Sequence, residues 1–225
     1  MRLLVLDSSI LQDTCLYDGC LSTLSQARRQ KIERYKQDGD KRLSVAAGVL
    51  LDIALADFGL REASAPFQYN PFKKPFLADG PCFSISHSGS YAVCACGEHE
   101  LGVDIEQPRM VKDALLRRVC TSQEAARLLA MDASTRNREF VRLWAVKESV
   151  LKWLGTGISV DPRQISVRLD APGGETAVVE QGITEVHLAV REYALEGYGF
   201  ALCCERGTCF PQPEFVGASQ LRRML

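Results

Sequence analysis

The segment Trp144-Ala-Val-Lys-Glu-Ser-Val-Leu-Lys152 most constrains how this chain folds. It sits in a stretch from about Asn137 to Leu154 whose apolar residues recur at helical spacing, and Gly155 is a natural stop. Phe140, Leu143, Val146, Val150 and Leu154 cover much of the circumference, which predicts a mostly buried helix. Lys147, Glu148 and Lys152 interrupt it, and a charge on a buried helix must be paired or bound to something. Trp144, Glu148 and Lys152 stand at i, i+4 and i+8, roughly on one face. An intrahelical Glu148–Lys152 pair, worth about 0.2–0.5 kcal/mol at an exposed site, fits this spacing. So does a carboxylate metal ligand beside a phosphate-holding lysine, and spacing alone leaves both open.

The second motif is Leu101-Gly-Val-Asp-Ile-Glu106. As a strand it puts Val103 and Ile105 on one face, Asp104 and Glu106 on the other. Two neighbouring carboxylates repel, so they share a proton, a cation or water. Mg²⁺ is the natural cation, since it takes one or two carboxylates and completes its shell with water and substrate phosphates. Taken alone, the motif fits an exposed strand with two solvated acids better.

Two further features suit phosphate. Phe83-Ser-Ile-Ser-His-Ser-Gly places Ser86 and His87 among hydroxyls at a turn, after the basic turn Lys73-Lys74-Pro75. Without further context, a strand-end histidine bonded to backbone explains His87 better. A Ser-His hydrolase is a rival, but no G-x-S-x-G elbow accompanies it. From Arg28 to Arg42, Arg28, Arg29, Lys31, Arg34, Lys36, Lys41 and Arg42 stand against three acids, a local charge of +4. That is either a solvated helix or a clamp for a polyanion. No G-x-x-x-x-G-K-[ST] or G-x-G-x-x-G loop is present.

The basic cluster is hidden in a total of −1 over 225 residues, which argues against a protein that coats nucleic acid. The length allows one large domain or two small ones. Ser90-Tyr-Ala-Val-Cys-Ala-Cys-Gly echoes Gly197-Tyr-Gly-Phe-Ala-Leu-Cys-Cys, a hint of two similar α+β halves of about 110 residues. Nine cysteines, no signal-peptide core and no apolar run near ~20 residues predict a reduced, cytoplasmic protein that avoids the membrane. Helices are expected at 22–35, at Leu43–Phe58 and from a Thr121-x-x-Glu124 capping box. Strands are expected at 2–6, 91–96, 101–106, 165–169, 177–179, 186–193 and 199–204, with turns at Pro172-Gly-Gly and Glu196-Gly.

Lys74-Pro75, Phe83-Ser-Ile-Ser-His-Ser88, Gly102-Val-Asp-Ile-Glu106 and Trp144-x-x-Lys-Glu-x-x-x-Lys152, in that order and spacing, resemble the Sfp-type 4′-phosphopantetheinyl transferases. The resemblance covers most of the chain and implies an α+β fold of two similar halves related by a pseudo-twofold, with the active site in the cleft between them. The halves are drawn at 1–103 and 104–225. It implies Mg²⁺-dependent transfer of the phosphopantetheine arm of coenzyme A to a serine of an acyl or peptidyl carrier protein, releasing adenosine 3′,5′-bisphosphate. Asp104, Glu106 and Glu148 would hold Mg²⁺, and Lys152 would contact the phosphates. Glu148, directly or through water, would help deprotonate the serine. Ser86 and His87 would bind coenzyme A phosphate, with Arg28, Lys31, Arg42 and Ser44 completing the 3′-phosphate and adenine side and Lys74 and Pro75 lining the nucleotide pocket. A monomer is implied, with the carrier docking near Val111 to Leu129. The sequence departs from the family with Lys73 for a frequent Gly, Ser84 for a frequent Asn and Arg28 for a frequent Lys. The alternative is a non-catalytic coenzyme A or nucleotide-binding module of the same fold; the intact acids argue against it.

Overall fold

The computed structural model describes residues 1–167, 175–180 and 188–225. In chain order the first elements are β1 (Arg2–Asp7), α1 (Thr14–Ser22), α2 (Gln26–Glu33), α3 (Asp38–Ala56), β2 (Gln68–Tyr69), β3 (Pro75–Phe76), β4 (Cys82–Ser88), β5 (Tyr91–Gly97) and β6 (Leu101–Glu106). There follow α4 (Asp113–Val119), α5 (Ser122–Leu129), α6 (Ala133–Leu154), β7 (Ile165–Val167), β8 (Glu175–Glu180), β9 (Leu188–Glu192), β10 (Gly199–Glu205), β11 (Pro213–Phe215) and α7 (Ala218–Arg222). This is a mixed α+β fold. It consists of two compact units, one of residues 1–69, 75–99 and 211–225, the other of 70–74 and 100–210. The sequence boundary at 103/104 falls inside β6, which lies wholly in the second unit, and the C-terminal segment returns to the first.

In the first unit the sheet order is β11-β1-β5-β4. β1 pairs antiparallel with β5 and parallel with β11, and β4–β5 is a hairpin closed at Ser88↔Tyr91. Gly89 takes the left-handed φ of 60° that this turn demands. Leu4, Leu6, Cys94 and Cys96 share a core with Val45 to Leu55 of α3. That helix begins at Asp38, five residues before its apolar run, because Asp38 and Asp40 suit a helix N-terminus. The expected 22–35 helix is the shorter α2, capped at Ser25, whose hydroxyl accepts from Arg28 N–H. α1 escapes the periodicity because Gly19 and two cysteines dilute its apolar face. Asp13 caps it by accepting from Leu16 N–H.

In the second unit the sheet order is β6-β10-β9-β8-β7, all neighbours antiparallel. The predicted capping box is present, with Thr121 and Glu124 satisfying each other's backbone N–H groups. Gly155, left-handed at φ 67°, ends α6. Gly197 at φ 76° turns β9 into β10. The expected Pro172-Gly-Gly turn, and the parts of the expected strands at 168–169 and 186–187, lie outside the described residues. Among those described, no helix is long and apolar enough to cross a membrane.

Candidate active site

The site is built where α6 crosses β6. Alternation puts Gly102, Asp104 and Glu106 on one face of the strand, and α6 lies on that face. A Cβ added at Gly102 would stand 2.0 Å from Ser149 O and 2.4 Å from Trp153 N. At Gly199, opposite Glu106 in the ladder, it would stand 2.4 Å from Val141 O. Two glycines therefore let the helix backbone rest directly on the sheet. Because Gly102 meets Ser149–Trp153 and the Glu106 end meets Val141, α6 runs antiparallel to β6. That direction brings Trp144 over Glu106 and Lys152 over Asp104.

The side chains complete this register. Trp144 Nε1 donates to Glu106 Oε1 at 3.2 Å, and its ring stacks on Phe140. Lys152 Nζ donates to Asp104 Oδ1 at 2.7 Å, where Asp104 is only 3% exposed. Lys152 thus reaches across to the strand. Burial, then Asp104, pushes the Glu148 carboxyl up to about 7; Lys152 opposes this and Glu106 adds to it. Glu106 is raised by burial first and then Asp104, against Arg109, the Trp144 hydrogen bond and Lys152. Glu106 and Glu148 thus both feel burial and the Asp104 charge, so a positive charge beside them stabilises their ionised forms.

Among the described residues, no group of three or more Asp, Glu, His or Cys side chains is gathered closely enough to hold a metal ion as arranged. The ammonium of Lys152 supplies the positive charge at Asp104. The donor set is nonetheless all carboxylate oxygen, the chemistry of a hard divalent cation such as Mg²⁺.

One residue of this helix escaped the functional reading. Lys147 is 0% exposed; it pairs with Glu124 Oε2 at 2.7 Å and donates to Val119 O, Pro162 O and Ile165 O at 3.1, 2.9 and 2.9 Å. Glu124 also accepts from Thr121 N–H and Val167 N–H. The chain immediately before Glu148 is therefore nailed to three other segments. The signal was present in the sequence, as a lysine on an otherwise apolar face three residues after Trp144, but its partners lie 15 to 28 residues away.

Of the candidate phosphate residues in the first unit, Arg42 and Ser44 stand in the first two turns of α3. Arg2 pairs with Asp57 at 3.0 Å, which fixes the C-terminal end of α3 beside Cys96, the ladder partner of Arg2. At 1.5 Å per residue, the 19-residue helix spans ~28 Å, so its first turns, with Arg42 and Ser44, lie toward the β4–β5 hairpin and His87. Ser86 is buried and His87 exposed, so as strand neighbours they project to opposite faces. Ser44 is buried, Arg42 half-buried and Lys31 exposed. Arg28 is held differently from a free clamp. Its side chain, 15% exposed, lies across Gly48, and its Nε donates to Glu62 Oε1 at 2.6 Å. Lys74 Nζ pairs with Glu100 at 3.1 Å, and Pro75 opens β3 opposite Tyr69.

Residues 100–203, which span β6 to β10, match the model of the 4′-phosphopantetheinyl transferase superfamily. The chain is 28% identical to the 4′-phosphopantetheinyl transferase Sfp of Bacillus subtilis over 187 residues, 81% of this chain and 83% of that one. It is 32% identical to a putative 4′-phosphopantetheinyl transferase of Synechocystis over 163 residues, 68% of this chain and 65% of that one. A solved holo-(acyl-carrier-protein) synthase from Bacillus anthracis aligns with 47% of this chain and 94% of its own at 22% identity and a TM-score of 0.41. The family match and these relatives define a 4′-phosphopantetheinyl transferase. Within that class the chain belongs to the Sfp type.

Proposed function

We propose that this enzyme transfers the 4′-phosphopantetheine arm of coenzyme A to a serine hydroxyl of an acyl or peptidyl carrier protein, and that Asp104, Glu106, Glu148 and Lys152 are its catalytic centre. The serine oxygen forms a bond to the β-phosphorus of coenzyme A. The bond from that phosphorus to the bridging oxygen breaks, the serine proton leaves, and adenosine 3′,5′-bisphosphate departs. Phosphoryl transfer of this kind needs positioning and charge neutralisation more than covalent help. Asp104, Glu106 and Glu148 would hold Mg²⁺, which when bound supplies charge neutralisation at the pyrophosphate. Lys152 is the cation for the phosphates, and Glu148, directly or through water, receives the serine proton. Arg42, Lys31, Ser44 and His87 serve the 3′-phosphate and adenine side, with Ser86, Lys74 and Pro75 as further contacts. Arg28 joins them through the part of its guanidinium not given to Glu62. A groove of about 890 Å³ along α5, lined by Arg117, Gln123, Leu129 and Arg163, falls in the segment expected to meet the carrier.

The observation that carries this reading is the antiparallel seating of α6 on β6 at Gly102, which sets Lys152 on Asp104 and Trp144 on Glu106. The test incubates the protein with coenzyme A, Mg²⁺ and a panel of apo carrier proteins and weighs the carriers by mass spectrometry. A gain of one phosphopantetheine is expected, and no gain on any carrier would refute the reading. Asp104→Ala and Glu148→Ala should each lower transfer at least ~100-fold with unchanged thermal unfolding, a loss of several kcal/mol of charge stabilisation. Full activity in either variant removes that residue from the centre.

A further inference from the structure

The turn between β2 and β3 contains Lys73 at φ 67°, the one non-glycine residue with positive φ among the described residues. A lysine there costs about 1–2 kcal/mol relative to a relaxed backbone. Such a conformation persists where its surroundings over-determine it. Asn70 does so with every polar group it has. Its backbone N–H donates to Lys74 O at 3.0 Å, and its carbonyl accepts from Lys73 N–H at 2.9 Å. Its side-chain Oδ1 accepts from Phe72 N–H and Lys74 N–H, both at 2.9 Å. Its Nδ2 donates to Gly155 O at 2.7 Å.

Gly155 is the residue that ends α6. A Cβ there would stand 3.2 Å from Asn70 Nδ2 and 3.3 Å from Lys74 Cδ, so the turn lies directly against the helix end. The Asn70 amide is thus divided: the acceptor closes the turn, and the donor fastens it to the helix that carries Glu148 and Lys152. The partners dictate this orientation, since two N–H groups face one end and a carbonyl the other. Lys74 Nζ on Glu100, the residue before β6, provides a second tether. Aspartate would keep both accepted bonds but turn an anionic oxygen toward the Gly155 carbonyl. It therefore separates closing the turn from anchoring it.

We propose that Asn70 is a positioning residue: it anchors the turn at 70–74 to the C-terminal end of α6 and so holds Lys74 in place for the nucleotide of coenzyme A. This rests on the reading of Lys74 as a nucleotide-pocket residue. The test is steady-state transfer to an apo carrier protein that the wild type modifies, with coenzyme A varied. Asn70→Asp and Asn70→Ala should each raise KM for coenzyme A about tenfold, the size of one lost hydrogen bond, with kcat within about twofold. In a Lys74→Ala background the Asn70→Ala penalty should vanish, because both changes act through the same contact. Thermal unfolding reports any general loss of structure separately; if the alanine variant does not fold, Asn70→Asp, which keeps the turn closed, decides. A wild-type KM in Asn70→Asp, an undiminished penalty in the Lys74→Ala background, or a fall in kcat alone would overturn the proposal. Failure of the wild type to bind coenzyme A by calorimetry or to modify any carrier would instead sink the functional reading on which it rests.

Discussion

The two long helices of this molecule do the same architectural job with opposite treatment of charge. In the first unit α3 buries an almost unbroken run from Leu43 to Leu55 and keeps its basic residues at its N-terminal end. Asp52 is its one buried charge, and Asp52 accepts from Arg61, which is 56% exposed, and from Glu62 N–H. In the second unit α6 carries Lys147, Glu148 and Lys152 along its middle and end. Lys147 is sealed off with Glu124, while Glu148 and Lys152 face the acids of β6. A helix can thus be scaffold with ligand groups at its end, or it can carry chemistry along its length. In α6 an internal charge, Lys147, also fastens the helix to the neighbouring segments.

The sharpest way to break this contrast is to remove the locking charge. Lys147→Ala strands the Glu124 carboxylate, 8% exposed, and three backbone carbonyls; it should destabilise the protein by about 3–5 kcal/mol in denaturant unfolding. Asp52→Ala should cost less, about 1–3 kcal/mol, because Arg61 can turn to water and one buried N–H of Glu62 is the main loss. A double variant, Lys147→Met with Glu124→Gln, should recover part of the first loss, since no uncompensated charge remains. Equal costs for Lys147→Ala and Asp52→Ala would abolish the distinction between the helices.

Next in size is the seat of the helix. Gly102→Ala puts a methyl into the α6 backbone at Ser149 and Trp153, neither of which can rotate away. Overpacking of this kind costs about 1–3 kcal/mol. It should also separate Lys152 from Asp104, so transfer should fall by more than the lost stability explains. Unchanged kcat/KM in a destabilised Gly102→Ala protein would show that the register at Asp104 does not matter.

Gly102 also marks how far the sequence could be read. Alternation in Leu101–Glu106 and the i, i+4, i+8 spacing of Trp144, Glu148 and Lys152 were legible, because both are local periodicities. The family resemblance joined them and named the chemistry. What neither periodicity contains is the antiparallel crossing of α6 on β6, which depends on two absent Cβ atoms at Gly102 and Gly199 in different strands. The Glu62–Arg28 bond and the four partners of Lys147 were hidden for the same reason: each is a contact between segments with no periodic relation. Arg28 read as a clamp because a charge run shows charge and not what neutralises it. Lys73 was visible as a departure from a frequent glycine, and its φ of 67° supplies the reason glycine is frequent there.

The smallest expected effect tests whether α3 is scaffold throughout. Gly39 lies in its first turn with nothing within 4 Å of where a Cβ would stand, and its φ is not in the left-handed range. Gly39→Ala therefore removes freedom from the unfolded chain without adding a clash, and should stabilise by about 0.4–1 kcal/mol, the lower end applying to a first-turn position. The same substitution at Gly102 has the opposite sign. Gly39 is helical and Gly102 lies in a strand, where alanine gains less, but it is the helix backbone resting on Gly102 that reverses the sign. Thermal unfolding of the two variants side by side should therefore move in opposite directions. A loss of stability in Gly39→Ala would mean that the first turn of α3 is already shaped by something other than its own backbone.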